Sequence, residues 1–260
     1  MNRINKLFLD RQKPVLSIYF CAGTPDPEAT VDVVRTLELR GVDMVEIGIP
    51  FSDPLADGPV IQGASTQALR QGMTLSRLMG QLAGLRPAGV SIPVVLMGYL
   101  NPVLQYGFER FCRECKACGV DGVIIPDLPF DEYMRDFRLT AERYDLKFIL
   151  LITPETSEAR IRQIDTHTDS FLYMVSSASV TGAQKDFDEA RQKYFRRIAD
   201  MHLRSPRLIG FGISNRQTYE TATRYADGVI VGSRFVTLLE AYGGDAGKAI
   251  DALHEALRHD

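Results

Sequence analysis

Eight short tracts of mainly apolar, often β-branched residues recur along the chain, and longer amphipathic stretches separate them. Near-continuous apolar runs of this kind are typical of parallel strands that are covered on both faces. Strict alternation of strands and helices predicts a parallel α/β architecture. Eight repeats favour a closed (β/α)8 TIM barrel over an open doubly wound sheet, which stays the alternative. The tracts cover residues 15–23, 43–50, 92–99, 121–129, 147–154, 170–177, 207–214 and 227–234.

Two segments exceed the minimal strand–helix repeat. Residues 1–12 predict an additional N-terminal helix below the barrel, and residues 59–86 have room for two helices broken near Gly72. The length of 260 residues suits one barrel, which typically needs about 250 residues. Because no linker composition interrupts the chain, we expect a single domain over residues 1–260.

Charge and composition exclude several classes of partner. A net charge of -3 provides no basic field for nucleic acid or anionic lipid. No apolar run approaches the ~20 residues that span a bilayer, and the charged N-terminus lacks a secretory core. A reducing compartment keeps sparse thiols free, so the four cysteines fit a cytoplasmic location, which is the default expectation.

Glu46 lies within the second predicted strand, where side chains alternate between two faces. Met44, Glu46 and Gly48 share one face, and the opposite face is aliphatic and suited to packing on helices. Glu46 is therefore expected inside the barrel, where lost solvation favours its protonated form and prepares it to exchange protons. A structural glutamate paired with a hidden arginine or lysine is the alternative.

The loop after this strand, residues 50–59, carries two aspartates among three prolines and a glycine. In such barrels the reactive groups come from the carboxyl ends of the strands and from the loops that follow them. Asp57 is therefore a candidate second member of an acid–base pair, although turn formation alone is an alternative for both aspartates. Asp53, directly before Pro54, is interpreted as a turn residue.

Glycines at the ends of the seventh and eighth tracts predict a phosphate site. At Gly212 and Gly232 a ligand can approach the backbone N–H groups without meeting a Cβ. The loops after strands seven and eight of such barrels commonly bind phosphate together with a helix N-terminus, which Ser233 would open here. Ser214 with Gln217 also predicts a capping box at the start of the helix that follows the seventh tract.

The small, polar segment 176–186 follows the sixth tract at the same end of the predicted barrel. It predicts a mobile lid that excludes water from the site. A plain surface loop is the alternative.

Cys112, Cys115 and Cys118 repeat a spacing found in iron–sulfur proteins. Their segment instead predicts one helix with the three thiols on one side, and Cys21 lies far away along the chain, so we expect no metal site. No histidine ends a predicted strand, which leaves no histidine-based triad. No lysine ends one either, which counts against Schiff-base chemistry.

The segment VEIGIPFSDPLADGPVIQGA, residues 45–64, resembles the signature of tryptophan synthase α chains, including the spacing from Glu46 to Asp57. Further similar motifs are LMGYLNP, DGVIIPDLP, SVTGA, GFGIS and VGS, so the resemblance covers nearly the whole chain. It implies a lyase of tryptophan biosynthesis that cleaves indole-3-glycerol phosphate into indole and glyceraldehyde 3-phosphate. The implied partner is a β subunit in an α2β2 heterotetramer. That subunit carries pyridoxal phosphate, whereas this chain needs no cofactor.

The resemblance also assigns site residues. Glu46 would shuttle the proton at indole C3, and Asp57 would face the charge that develops at the indole N–H. The indole and glycerol groups would contact Tyr19, Leu96, Tyr99, Asn101, Ile124, Ile152, Tyr173 and Phe211. The phosphate would bind Gly182, Gly212, Gly232 and Ser233, and Thr181 would belong to the closing loop.

The chain departs from the family pattern at a few positions and leaves the functional alternatives open. Ser177 stands where many members carry arginine, Tyr19 where phenylalanine is common, and Thr24 replaces a usual aspartate. A stand-alone lyase that releases free indole is one alternative to the α subunit. A catalytically idle activator of the β subunit is another, which the presence of both Glu46 and Asp57 disfavours.

Overall fold

Parallel strands form one sheet in the part of the chain that the structure, a computed structural model, describes: residues 1–176 and 187–258. All pairs of neighbouring strands run in the same direction. The strands are β1 (Val15–Cys21), β2 (Met44–Gly48), β3 (Val94–Met97), β4 (Gly122–Ile124), β5 (Lys147–Phe148), β6 (Leu150–Ile152), β7 (Leu172–Val175), β8 (Arg207–Gly210) and β9 (Gly228–Val231).

The sheet closes into a barrel through the fifth predicted tract. The strand order is β5-β4-β3-β2-β1-β9-β8-β7-β6, so β5 and β6 lie at opposite ends of the order although only Ile149 separates them in the chain. The lower part of this tract pairs with β4 and the upper part with β7. The predicted TIM barrel is therefore confirmed, and the open sheet is wrong. The fifth tract, predicted as one strand, forms the two strands β5 and β6, because its hydrogen bonds change from one neighbouring strand to another at Ile149.

Helices surround the barrel between the strands. The additional N-terminal helix is present, and Gly72, with a φ of 78°, lies between the two helices expected after the second strand. The helices are α1 (Arg3–Asp10), α2 (Thr30–Leu39), α3 (Pro59–Arg70), α4 (Leu75–Leu82), α5 (Leu100–Tyr106), α6 (Phe108–Cys118), α7 (Phe130–Glu132), α8 (Arg138–Arg143), α9 (Glu158–His167), α10 (Glu189–Asp200), α11 (Arg216–Thr223), α12 (Ser233–Ala241) and α13 (Ala246–Arg258); a π-helical turn, Tyr133–Phe137, joins α7 to α8.

Aspartates at the lower end of the barrel bind the backbone of neighbouring strands. The Asp43 carboxylate accepts a hydrogen bond from the N–H of Leu16 (2.9 Å), and the Asp121 carboxylate accepts one from Val94 (3.0 Å). The Asp227 carboxylate accepts one from the N–H of Arg207 (2.8 Å). The backbone N–H of each aspartate also donates to the carbonyl of the residue whose N–H its carboxylate accepts. These paired bonds fix the register between adjacent parallel strands where the sheet begins.

The N-terminal segment brings a cation to each of these aspartates. Lys13 lies 3.2 Å from Asp43, Arg3 lies 3.0 Å from Asp121, and Arg11 pairs with Asp227. The Asn2 side chain caps α1 and donates to the carbonyl of Asp121. The additional helix therefore closes the end of the barrel opposite the carboxyl ends of the strands.

The three neighbouring cysteines lie on α6, as the sequence predicts, and all are buried as free thiols. Burial raises the pKa of Cys112 to about 12, so the thiol is protonated at neutral pH.

Among the helices of the described residues, none combines the length and apolar character that crossing a bilayer requires.

Asp121→Asn should destabilise the fold by about 3 kcal/mol, because Arg86 would keep a partly buried charge without its counter-ion. The Asp121 side chain is 3% exposed and lies 2.8 Å from the Arg86 guanidinium. Urea unfolding measures the loss. Asp131→Asn is the matched control, since its pair with Arg160 is exposed, and it should change the unfolding midpoint little. Equal midpoints for both variants would contradict this role of Asp121.

Candidate active site

Glu46 is fully buried inside the barrel, in the middle of β2. Its Oε1 atom accepts a hydrogen bond from Ser17 Oγ on β1 (3.2 Å), and its Oε2 atom has no hydrogen-bond partner among the described residues. Burial raises the pKa of Glu46 from 4.5 to about 8, and the bond from Ser17 only partly opposes this change. The described part of the chain contains no arginine or lysine paired with Glu46, so the structural ion pair is not formed there.

Two tyrosines lie beside Glu46 across the interior of the barrel. A Cβ at Gly48 would lie 2.1 Å from the Tyr19 hydroxyl, and one at Gly210 would lie 2.2 Å from the Tyr173 hydroxyl. Glycine is therefore required at both positions to make room for the rings. Both tyrosines are buried, which raises the pKa of each hydroxyl well above 10, and the nearby carboxylates of Glu46 and Asp57 raise it further.

Asp57 lies on the loop between β2 and α3, and its side chain turns inward, with the residue 6% exposed. The Tyr99 hydroxyl donates to Asp57 Oδ2 (2.8 Å) and accepts from the N–H of Ala56 (3.0 Å). The Tyr99 ring stacks on Phe51, which anchors the start of the same loop. Burial raises the pKa of Asp57 while the bond from Tyr99 lowers it, and Oδ1 has no partner among the described residues.

Asp53 differs from Asp57 although both belong to this loop. Its side chain is exposed and accepts from the Ser52 hydroxyl. This geometry agrees with its interpretation as a turn residue.

A cavity of about 250 Å³ opens beside these groups at the carboxyl ends of the strands. Asp57 lies at one part of its wall, and the loops after β8 and β9 form another. Of the sequence-predicted residues, those that line the cavity are Tyr19, Asp57, Tyr173, Phe211, Gly212, Gly232 and Ser233. A largely apolar lining with a few convergent polar groups is typical of a small-molecule site.

The loops after β8 and β9 present free backbone donors to the cavity. Phe211 and Gly212 both have positive φ values, 69° and 80°, which turns the chain sharply and is unusual for phenylalanine. No side chain of the described residues caps α12, which begins at Ser233 after Gly232. Its first N–H groups are therefore available to an anion, which a helix N-terminus favours.

The helix after β8 begins one residue later than the sequence predicts. Its capping box is formed by Asn215 and Thr218, with reciprocal hydrogen bonds. The prediction of Ser214 with Gln217 is wrong, because the Asn215 side chain accepts from the N–H of Thr218 and so takes the N-cap position.

The protein resembles known proteins over its whole length. A family model described as "Tryptophan synthase alpha chain" matches residues 7–259. The tryptophan synthase alpha chain of Phocaeicola vulgatus is 62% identical over 259 residues, 100% of each chain. That of Bacteroides thetaiotaomicron is 61% identical, over 99% of this chain and 100% of the relative.

The chain belongs to the tryptophan synthase α chain family. A crystal structure of the family member from Legionella pneumophila has a TM-score of 0.87 at 35% identity and covers 99% of this chain and 96% of the other. The protein is accordingly a lyase of tryptophan biosynthesis that cleaves indole-3-glycerol phosphate into indole and glyceraldehyde 3-phosphate.

Several residues that the resemblance assigns to the site lie behind the cavity wall. Leu96, Ile124 and Ile152 are completely buried within their strands. Tyr99 contacts Asp57 rather than the cavity, and Asn101 is exposed on α5. Glu46 does not line the cavity either. Ser177, Thr181, Gly182 and the rest of the expected lid, except Ser176, lie outside the described residues.

Sequence reasoning missed part of the lining. Ile61 and Thr237 reach the cavity from α3 and α12, and Met97 and Ile230 reach it from strands. Arg234, which follows Ser233, also lines it. A cation in the first turn of a helix that has no acidic residue there is a signal that the sequence carries, since such a charge opposes the helix dipole.

Glu46→Gln should stabilise the folded chain at alkaline pH. The folded chain holds the Glu46 proton more tightly than the unfolded chain, so ionisation lowers stability as the pH rises from 4.5 through about 8. The variant cannot ionise. Its free energy of unfolding, measured in urea, should exceed that of the wild type by a few kcal/mol at most, since a tenfold difference in proton affinity between the two states is worth about 1.4 kcal/mol.

Below pH 4.5 the two proteins should differ little. Glu28→Gln is a control of opposite sign, since the hydrogen bond from Arg77 lowers the pKa of this exposed glutamate. A constant difference between Glu46→Gln and the wild type at all pH values would show that Glu46 ionises without cost.

Proposed function

We propose that Glu46 and Asp57 divide the acid–base work of the cleavage. The carboxyl of Glu46 donates a proton to indole C3, and the Asp57 carboxylate stabilises the positive charge that this creates at the ring nitrogen. The Glu46 carboxylate then takes the proton of the adjacent glycerol hydroxyl. The bond from C3 to the glycerol carbon breaks, its electron pair returns to the ring, and the hydroxyl carbon becomes the aldehyde. The proton lent by Glu46 is thereby recovered.

One observation carries this proposal. Glu46 and Asp57 each keep a buried carboxyl oxygen without a hydrogen-bond partner among the described residues. An unpaired buried acceptor is costly in a folded protein, and a catalytic role is one of the reasons for which such a group is kept. Burial raises the pKa of both groups, and it leaves Glu46 protonated at neutral pH. Asp57 is slightly more exposed than Glu46 and accepts a hydrogen bond from Tyr99, so the two carboxyl groups have different environments.

The cavity supports one orientation of the substrate. The phosphate binds the N–H groups of Gly212, Gly232 and Ser233, with the Ser233 hydroxyl adding a donor. The indole ring then lies between Tyr19 and Tyr173 toward Asp57. We assign the buried residues Leu96, Tyr99, Ile124 and Ile152 to support of this wall. Asn101, exposed on α5, stays an expected contact of the substrate. Gly182 completes the phosphate end in the same proposal, and Thr181 belongs to the closing loop.

Glu46 must turn toward the cavity for this chemistry. In the structure its single side-chain hydrogen bond, to Ser17, is 3.2 Å long. A rotation about the side-chain torsions breaks only this bond and turns the carboxyl toward the cavity. The protonated state lowers the cost of the movement because no buried charge has to be displaced.

In the same proposal residues 1–260 form a single cytoplasmic domain that holds no cofactor of its own. The one closed sheet and its continuous core support a single domain. The pyridoxal phosphate of tryptophan synthesis belongs to the β subunit, to which this chain passes indole within an α2β2 heterotetramer.

The value of kcat/KM should fall on both sides of neutral pH. Above about pH 8 the free enzyme loses the Glu46 proton, and in acid Asp57 is neutralised at a pH above its ordinary 3.8. Glu46→Gln and Asp57→Asn should each lower turnover by at least ~10²-fold. Steady-state assays with indole-3-glycerol phosphate measure this. Turnover of either variant within tenfold of the wild type would remove that residue from its role.

Exposed apolar side chains at the cavity mouth support docking of the β subunit there. Leu55, on the loop that carries Asp57, is 89% exposed, and Leu104 on α5 is 47% exposed. Both follow neighbouring strands at their carboxyl ends. Tyr99 connects the two segments through its bonds to Asp57 and Ala56, so a partner that orders this face also orders Asp57.

The isolated chain should cleave slowly, and the β subunit should stimulate it markedly by favouring the catalytic arrangement. Leu104→Asp should weaken this stimulation, because it places a charge in the proposed interface. Leu139→Asp is the matched control, since Leu139 is equally apolar and 68% exposed on α8, away from the mouth. Full-speed cleavage by the chain alone, unaffected by the β subunit, would instead indicate a stand-alone lyase.

A further inference from the structure

Arg234 is the only cation among the described residues that line the cavity, and Asp57 is the only carboxylate there. Arg234 occupies the second position of α12, between Ser233 and Phe235, and is partly buried. The two formal charges of the wall thus come from different loops. Asp57 follows β2, whereas Arg234 follows β9, beside the proposed phosphate contacts at Gly232 and Ser233.

The charge of Arg234 is not compensated within the described residues. The first turn of α12 contains no acidic residue, and Arg234 Nε is buried without a hydrogen-bond partner. Arg160, Arg207 and Arg216 each pair with a carboxylate, whereas Arg234 forms no ion pair with a described residue. Arg197 and Arg207 also have a buried Nε without a hydrogen-bond partner, but each guanidinium has another polar contact, to the Pro154 carbonyl or to Asp227. Arg234 has no such contact among the described residues, and an unpaired buried donor is costly unless a ligand or water supplies the acceptor.

The position in the helix adds a second cost. The N-terminus of an α-helix carries a partial positive charge, so a cation in the first turn is repelled there. An anion in the cavity reverses both costs. It accepts from the guanidinium and from the uncapped N–H groups of α12 together, and a phosphate matches the planar donor geometry of arginine.

We propose that Arg234 is the ionic partner of the substrate phosphate and sets the preference of this enzyme for a phosphorylated glycerol chain. The proposal rests on the placement of the phosphate at Gly212, Gly232 and Ser233. Backbone N–H groups orient the phosphate but carry no full charge. Arg234 supplies that charge, so its contribution depends on the phosphate and not on the indole.

Calorimetric titration with glycerol 3-phosphate tests this directly. Arg234→Gln should weaken binding by about tenfold or more, as expected for the loss of a charge-assisted bond. Arg234→Lys keeps the charge without the planar fork and should recover most of the affinity. Arg224→Gln is the matched control, because it removes an exposed cation at the end of α11, and it should bind like the wild type.

Kinetics separate binding from chemistry. With indole-3-glycerol phosphate, Arg234→Gln should raise KM by a similar factor while kcat stays within about twofold. With the unphosphorylated indole glycerol as substrate, the variant and the wild type should have the same kcat/KM. A structural role for Arg234 would instead lower kcat/KM for both substrates.

Stability provides the remaining control. Without ligand, Arg234→Gln should unfold at the same or a slightly higher urea concentration, since it removes a repelled cation. A less stable or unfolded Arg234→Gln would overturn the inference. Equal affinity of Arg234→Gln and the wild type for glycerol 3-phosphate would also overturn it, while leaving the lyase assignment intact. If the wild type bound glycerol as well as glycerol 3-phosphate, the phosphate placement itself would be wrong.

Discussion

Closure of the parallel sheet through the fifth tract, which forms β5 and β6, is the constraint on which the site depends. Since that tract pairs with β4 below Ile149 and with β7 above it, no edge stays open among the described strands and every strand ends on the same rim. The loops after β2, β8 and β9 are distant in the chain, yet closure brings them around one cavity. The aspartates and N-terminal cations at the opposite end hold the strands in register and contribute nothing to the chemistry directly.

The site concentrates polar groups that the fold leaves incomplete. Glu46, Asp57 and Arg234 each have a buried atom without a hydrogen-bond partner among the described residues. Outside the site, Gln71, Arg197 and Arg207 also each have one such atom, whereas Asp121 is fully engaged and accepts from Val94, Arg3 and Arg86. Among these atoms, those of Glu46, Asp57 and Arg234 are the ones that belong to the proposed site. Burial there raises the pKa of Glu46 without an opposing cation.

Much of the fold was predictable because burial imposes simple patterns on parallel strands and helices. Eight apolar tracts, the alternation around Glu46 and the helix break at Gly72 could be read directly. The specific reaction came from the resemblance of residues 45–64, since periodicity alone does not name a substrate. Glycine marked the loops after the seventh and eighth tracts, whose binding of phosphate stays a prediction, but the helix start at Asn215 was missed by one residue. Propensity does not report the left-handed turn at Phe211 and Gly212.

The sequence by itself determined the barrel, the inward face of β2 and the family, because these follow from local periodicity and a highly specific motif. Only the tertiary structure decided which side chains meet. Tyr19 fits over Gly48 on a neighbouring strand, and Tyr99 holds Asp57 from a different loop. Leu96 proved to be core, whereas the adjacent Met97 lines the cavity. Such contacts depend on strand register and shear across the closed sheet, which relate residues far apart in sequence and leave no local pattern to read.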